Sequence, residues 1–389
     1  MVILMENYNI WNDIEVIKIM NNNELSKYSI KTYYYIIKQF TECLNKPYFE
    51  IINEIKNLQR DKIIGNEIIK YNPNDSLINE YIHKYIHFLV QNGNKNSTIN
   101  FKLKTLLILL RKSNIETPKI NLKPEPTQTK VQLITTDDIK YILNNSNVHH
   151  QAMFTFMSSM GGRRYDIINT FDVGFLMNSC SDYIKTKSVD EFLEEAPSDM
   201  IPYFEFVPHK TQKTGLPCKC CCSNESTNLM IESLKLRQKS IERHNKIYND
   251  DLKLTEESPL FASKKRSYLG KYDDASVSGI FHTKNKLLKE YKVNKLKEQL
   301  QNNQITKQEY KIKIDKLPKF HPHSLRHRFI STLRAYTTNR DISLIMEGHA
   351  SSIATDKFYV GESEELFNKD IIKETYLKVM PYLTFGIGV

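Results

Sequence analysis

The sequence predicts a mainly α chain with a small antiparallel β-sheet, divided into two domains. Three observations predict this. Long stretches place apolar residues at spacings of 3, 4 and 7, the period of a helix with one buried face. Residues 201–217 break that period and read as strand, turn and the start of a second strand. Residues 121–130, NLKPEPTQTK, carry two Pro and no apolar run beyond Leu122, the composition of a connector. At 389 residues the chain is long enough for two cores.

Residues 24–43 read as an amphipathic helix, with Ser29 as its cap and Tyr33, Ile36, Ile37 and Phe40 on its buried face. Residues 76–91 give a second helix. After QNGNKN, Ser97 or Thr98 is expected to cap a third, with Leu103, Leu106, Leu107 and Leu110 as its stripe. Lys102, Lys104, Arg111 and Lys112 surround that stripe, as a solvated face or as a surface turned to DNA. Residues 1–120 are therefore expected to form an all-helical bundle, and 121–132 a linker. A ten-residue extended linker spans roughly 30 Å, enough for two domains to embrace a duplex.

Residues 133–389 form the second expected domain. Thr136 is its first helix cap, with acids in the first turn. In HHQAMFTFMSSMGGRRYDIINTF a buried helix meets a Gly161-Gly162 turn, and a new helix begins with Arg163 and Asp166. The helix dipole disfavours positive charge at a helix start, so an arginine there asks for another reason. Tyr203 to Val207 reads as a strand, and KTQKTG as a turn with Lys210 and Lys213 at its tip. Cys218, Cys220, Cys221 and Cys222 crowd into CKCCC, which lacks the paired spacing of a zinc site and is expected in a strand or hairpin. With Cys43 and Cys180 they do not space out as a disulfide framework, which suggests a reducing, intracellular compartment.

Residues 228–246 read as a long helix, and PLFASKKRSYLG as a short strand and loop holding a weak nuclear-type cluster, Lys264-Lys265-Arg266. Residues 277–316 read as a Lys-rich helical pair. Within it, 283–316 is an insertion, a coiled hairpin or a phosphate-contacting arm. One more helix is expected at roughly 363–379. The tail PYLTFGIGV is apolar and calls for burial, in this protomer or in a neighbour.

The charge of +10 and pI of about 9.0 fit a polyanionic partner such as DNA. Abundant Lys, Asn, Ile and Tyr, as in AT-rich genomes, would tilt the balance the same way. No apolar run approaches the roughly 18 residues of a membrane span. The start MVILMENYNIWND lacks a basic n-region, so no signal peptide is expected.

The chemistry concentrates near the C-terminus, in HPHSLRHRFISTLRAYTTNRDISLIMEGHASSIATDKFYVG. His323 and Arg326 lie three apart and share a helical face, so they can address one small anion. An Arg fork grips two phosphate oxygens, and a His beside it can give or take a proton. His349 and Tyr359 follow. Taken alone, a surface helix with a basic face would carry the same pair.

Together these parts resemble the tyrosine recombinase, or phage integrase-like, family. That family orders Arg in a G-x-R-x-x-E/D segment, Lys in a β-hairpin, H-x-x-R, G-H and then Tyr. Here MGGRRYD supplies Arg163 and Asp166, and HKTQKTG supplies Lys210, with Lys213 as the fallback. HSLRH supplies His323 and Arg326, EGH His349, and ATDKFYVG Tyr359. STINFKLKTL in the first domain is similar to a usual helix opening of the family's core-binding domain.

The resemblance implies a C-shaped clamp around double-stranded DNA. It implies cleavage through a 3′-phosphotyrosine with Tyr359 as nucleophile, strand exchange through a Holliday junction, and no cofactor or metal. It further implies a dimer or tetramer assembled through a C-terminal segment docked in trans. Composition alone suggests a virus or mobile element with an AT-rich genome, acting in the nucleus or wherever its DNA resides. Two departures stand out: one residue more than usual between His349 and Tyr359, and a second glycine, Gly162, where the family has an apolar residue. A type IB topoisomerase would share the chemistry. An inactive DNA-binding or virion protein of recombinase descent would share the fold.

Overall fold

A computed structural model describes residues 8–21, 25, 27–59, 62–64, 67–120, 133–212, 214–263, 270–348 and 368–387. The chain divides into two compact units, Met1–Thr129 and Lys130–Val389. The expected linker, 121–132, lies outside the described residues.

The first unit holds α1 (Ile14–Met20), α2 (Lys27–Leu44), α3 (Tyr48–Leu58), α4 (Leu77–Gln91) and α5 (Asn96–Lys112). Ile36, Ile37 and Phe40 of α2, Ile82 and Tyr85 of α4, and Leu103, Leu106 and Leu110 of α5 close one core. Their spacing made these helices readable. Three expectations need correction. Ser29 lies inside α2, which starts at Lys27. Ser97 and Thr98 lie inside α5, whose cap position is Lys95 with no side-chain bond. The unit is also not all-helical, since β1 (Lys62–Ile64) and β2 (Glu67–Ile69) pair as an antiparallel hairpin. KIIGNEII reads equally as two turns of helix, and only pairing resolves such a short apolar run.

The second unit opens with α6 (Thr136–Asn144) and α7 (Val148–Met160), then α8 (Arg164–Asn169), α9 (Val173–Ser179) and α10 (Val189–Glu195). The cap of α6 is Thr135, one residue before the expected Thr136, because Thr135 and Asp138 bond reciprocally to each other's backbone N–H. Every residue of α7 from Ala152 to Met160 is buried. This helix is the axis of the unit, wrapped by α11 (Asn224–Tyr248) and by α14, described below. Between α10 and α11, β3 (Tyr203–Phe206) and β4 (Cys218–Cys221) form the expected hairpin, with Phe206 opposite Cys218. The cysteines of CKCCC are buried free thiols facing the core around Phe204.

Two short strands, β5 (Ala262–Ser263) and β6 (Gly270–Lys271), pair before α12 (Asp274–Gln301) and α13 (Lys307–Asp315). The basic cluster Lys264-Lys265-Arg266 lies outside the described residues. Then come α14 (Pro322–Tyr336), α15 (Arg340–Glu347) and α16 (Lys369–Val379). The fold is thus mainly helical with small antiparallel hairpins.

The described part of the apolar tail packs on its own unit. Leu383 and Phe385 join the core, and the Phe385 and Ile387 N–H groups donate to the buried Glu225 carboxylate at 2.7 and 2.6 Å. Tyr382 stacks on Tyr336 at 3.8 Å. Of the two sites of burial the sequence left open, this protomer supplies it here.

No helix among the described residues is long and apolar enough to cross a membrane.

Candidate active site

Gly161 ends α7 with a left-handed φ of 66°. A Cβ there would lie 2.1 Å from the ring of buried Phe329 on α14, so the α7 turn can press onto α14 only as glycine. That contact brings the Gly161 carbonyl to Arg326, whose Nη1 donates to it at 2.6 Å. Its Nη2 donates to the Glu347 carbonyl at 2.5 Å. Arg163 occupies the cap position of α8 without capping it and reaches the Gly348 carbonyl through Nη2 at 3.0 Å. Two guanidinium groups from separate elements therefore converge on the C-terminal end of α15. This answers why an arginine sits at the start of α8: its charge is turned to the carbonyl end of another helix, where the dipole favours it.

Burial, reinforced by the charge of Arg163, pushes the Arg326 pKa down to about 10, so Arg326 remains cationic at neutral pH. Asp166 sits one turn into α8, nearly fully buried and 4.0 Å from Arg163 Nη1. Its Oδ1 accepts the His209 N–H at 2.9 Å. Burial raises its pKa despite this bond and the nearby Arg163 and Arg326. Asp166 thus ties the loop between β3 and β4 to the arginine turn. That loop carries Lys210, exposed in a short 3₁₀ turn, His209–Thr211. Lys213 lies outside the described residues.

His323 stands in the first turn of α14, at the rim. Burial, then His327, Arg326, Arg164 and Arg163, lower its pKa, so near neutral pH its ring is uncharged and able to accept a proton. His321 caps the same helix, its Nδ1 accepting the Ser324 N–H at 3.1 Å. His349 and Tyr359 lie outside the described residues, which resume at residue 368. The site is therefore described up to Gly348. It brings together Arg163, Asp166, the Lys210 loop, His323 and Arg326.

Three supporting groups complete the site: the Glu347–Arg334 pair was not singled out from the sequence, and Cys218 and Gly162 were noted there without a role in the site. Glu347, fully buried, takes Arg334 of α14 bidentately, with Nε–Oε1 and Nη2–Oε2 both 2.7 Å. This pair fixes the end of α15 whose carbonyl holds Arg326. The acid in EGH was its only trace in the sequence. Cys218 packs under Gly348, which has φ 59°, and an added Cβ there would meet Cys218 Sγ at 3.3 Å. Its thiol donates to the Met346 carbonyl at 3.4 Å, and burial pushes it up to about 12, so it packs as a neutral group. Gly162, the other departure from the family pattern, sits where a Cβ would press on Ile167 and Met160 at 2.6 and 2.9 Å. Those two side chains supply the apolar bulk that the glycine lacks.

Among the described residues no cluster of His, Cys, Asp and Glu could hold a metal ion.

No protein-family model and no curated protein matches the chain. Solved structures similar to it include the XerA recombinase, at 18% identity over 93% of this chain and 95% of that one, TM-score 0.31. The Tn1549 transposon integrase, in complex with transposon right end DNA, is 14% identical over 91% and 98%, TM-score 0.46. The integrase from mycobacterium phage Brujita is 10% identical over 96% and 94%, TM-score 0.29. At such scores these likenesses carry no weight for this chain's chemistry.

Proposed function

We propose that the chain is a tyrosine recombinase that cuts and rejoins double-stranded DNA through a covalent 3′-phosphotyrosine. The observation that carries this reading is the convergence of Arg163 and Arg326 on the carbonyls of Glu347 and Gly348, immediately before His349. Two cations pinned side by side, with a neutral imidazole at the rim and a lysine loop tethered to one of them, suit a phosphodiester gaining charge.

In this reading the scissile phosphate takes the outward edges of both guanidinium groups. The Tyr359 oxygen attacks phosphorus, the bond to the 5′-oxygen breaks, and Lys210 gives that oxygen its proton. Lys213 is the fallback donor. His323 acts as general base for the Tyr359 proton in cleavage and as general acid returning it in the reverse step, and His349 donates a hydrogen bond to the phosphate. Asp166 is a positioning residue, acting through Arg163 and the His209–Thr211 turn. Because the phosphotyrosine conserves the bond energy, a 5′-hydroxyl of another strand can reverse the step and exchange strands. The balance closes without a co-reactant.

The wider assignment goes with it: residues 1–120 as a DNA core-binding domain, 121–132 as linker, 133–389 as the catalytic domain, and the two domains as a clamp. A dimer or tetramer held by the tail would require the Phe385, Ile387 and Glu225 contacts, made here within one chain, to be exchanged between copies. An AT-rich virus or mobile element, acting in the nucleus or wherever its DNA resides, fits the composition.

The test is a suicide duplex nicked beside the crossover site. Wild type should give a denaturant-resistant protein–DNA band, and Tyr359→Phe should bind equally and give none. Binding by wild type with no covalent band would sink the enzyme reading in favour of a DNA-binding or virion protein. Supercoil relaxation with no recombinant product would favour a type IB topoisomerase.

A further inference from the structure

The Lys-rich segment after β6 plays no part in the chemistry above, yet it is built as a rigid arm rooted at the arginine turn. Arg164, next to Arg163, holds the first turns of α12 through Asp274 at 3.3 Å and Ser278 at 2.6 Å. Four further contacts fasten the next turns. Lys292 pairs with buried Asp138 at 2.8 Å, Tyr291 stacks on Tyr141 at 4.0 Å, Asn285 accepts the Phe320 N–H at 2.8 Å, and Lys284 bonds the Asn145 carbonyl.

From Val293 onward the character changes. Side chains through Lys316 are exposed or half-buried apart from Ile305, and α13 buries none of its own. The α13 turn is nonetheless ordered by a reciprocal cap, in which Thr306 and Glu309 bond each other's backbone N–H at 2.8 and 3.2 Å. Tyr310 and Ile314, one turn apart and half-buried, form its seam. The rest of the surface carries Lys295, Lys297, Lys307, Lys311, Lys313 and Lys316 against Glu298, Glu309 and Asp315, a balance of +3.

We propose that this hairpin is a phosphate-contacting arm that lies along duplex DNA flanking the cleavage position, without reading sequence. This rests on the DNA-cutting reading above. At 1.5 Å per residue, Ser278 to Gln301 spans about 35 Å, which carries the hairpin tip about ten base pairs, at 3.4 Å each, from the arginine turn. The free lysine-bearing stretch from Val293 covers about 12 Å of that. Six lysines on a braced support match a polyanion's regular charge, and flexible ammonium groups suit backbone contacts better than base readout.

The test compares reversible binding by the full chain carrying Tyr359→Phe with the same protein also carrying Lys295→Gln, Lys297→Gln, Lys307→Gln and Lys311→Gln. Duplexes of about 15 and about 40 base pairs are titrated across salt, where each lost phosphate contact removes about 0.9 from the log–log slope. On the long duplex the quadruple variant should lose about 10- to 100-fold in affinity and two to four units of slope, by that same ~0.9 per contact. On the short duplex it should match its parent. Neutralising Lys235, Lys239, Arg243 and Lys246 on the exposed side of α11 controls for net charge and should cost far less.

Equal losses in the two variants, or an unchanged slope on the long duplex, overturn the arm while leaving cleavage by Tyr359 intact. Failure of the parent to bind any duplex overturns the arm and the DNA-cutting reading together.

Discussion

Two clusters of positive charge in the second unit are held in opposite ways. Arg163 and Arg326 are half-buried and buried, fixed on main-chain carbonyls at 2.5 to 3.0 Å. The lysines from Lys295 to Lys316 stand in solvent on a braced helical hairpin. A pinned guanidinium has already lost its water and its freedom, so it can stabilise a transition state without reorganising. A solvated ammonium keeps both, and contributes attraction that salt screens. Positive charge thus suits transition-state stabilisation in one place and adhesion in the other.

Breaking the pinned cluster should have the largest effect. Arg326→Lys leaves one ammonium to serve the two carbonyls of Gly161 and Glu347. Covalent band formation should fall about 1,000-fold, about 4 kcal/mol of barrier, with duplex affinity nearly unchanged. A variant that cleaves at the wild-type rate would mean that Arg326 is structural only.

Gly161→Ala tests what sets the cluster in place. It adds a Cβ in a left-handed conformation 2.1 Å from Phe329. Unfolding in urea should show a loss of about 3 kcal/mol or more. Gly215→Ala, also at positive φ but in open space, should cost only about 1 kcal/mol. Equal losses would show that conformation, not the press onto α14, is what glycine provides.

Arg334→Ala leaves the buried Glu347 carboxylate without its bidentate partner. Because Arg334 itself is largely exposed, water replaces part of the loss, and about 1–3 kcal/mol is expected. Cleavage should drop more than binding. Arg334→Lys should recover stability better than cleavage, since a single ammonium can answer the charge but does not hold the fork.

The smallest effect concerns protons. His321 and His323 have pKa values lowered below the ordinary 6.5, by burial first and then by neighbouring positive groups. As pH falls through 6.5 the unfolded chain takes up protons that the folded chain refuses, so stability should decline on the acid side. A bound phosphate reverses this bias. Duplex affinity should therefore rise as pH drops from about 7.5 to 6, by at most about tenfold per pH unit for each proton taken up. His323→Gln should flatten that profile, and an unchanged profile would remove His323 from the phosphate's surroundings.

Much of this was legible beforehand. The helices at α2, α4, α5, α7 and α11 follow from apolar periodicity and the β3–β4 hairpin from aromatic and β-branched residues flanking a turn, whereas α1, α3, α9 and α10 were not singled out. HSLRH put His323 and Arg326 on one helix, because i and i+3 are neighbours on any helix. Cap positions were less legible. Thr135 and Thr136 are equally able, and the reciprocal bond to Asp138 chose between them. The β1–β2 hairpin was missed because a run as short as KIIGNEII has no period of its own.

The sequence by itself determined which residue types were present and in what order along the chain: two arginines, a lysine turn, an HxxR helix. Only the tertiary structure decided that Arg163 and Arg326 meet at one helix end, that Asp166 tethers the Lys210 loop, and that Arg334 braces Glu347. The physical reason is range. Periodicity and capping act within a few residues, whereas Arg326 finds its acceptor at Gly161 across 165 positions. That contact depends on Phe329 filling the space a glycine leaves open, which no local pattern encodes.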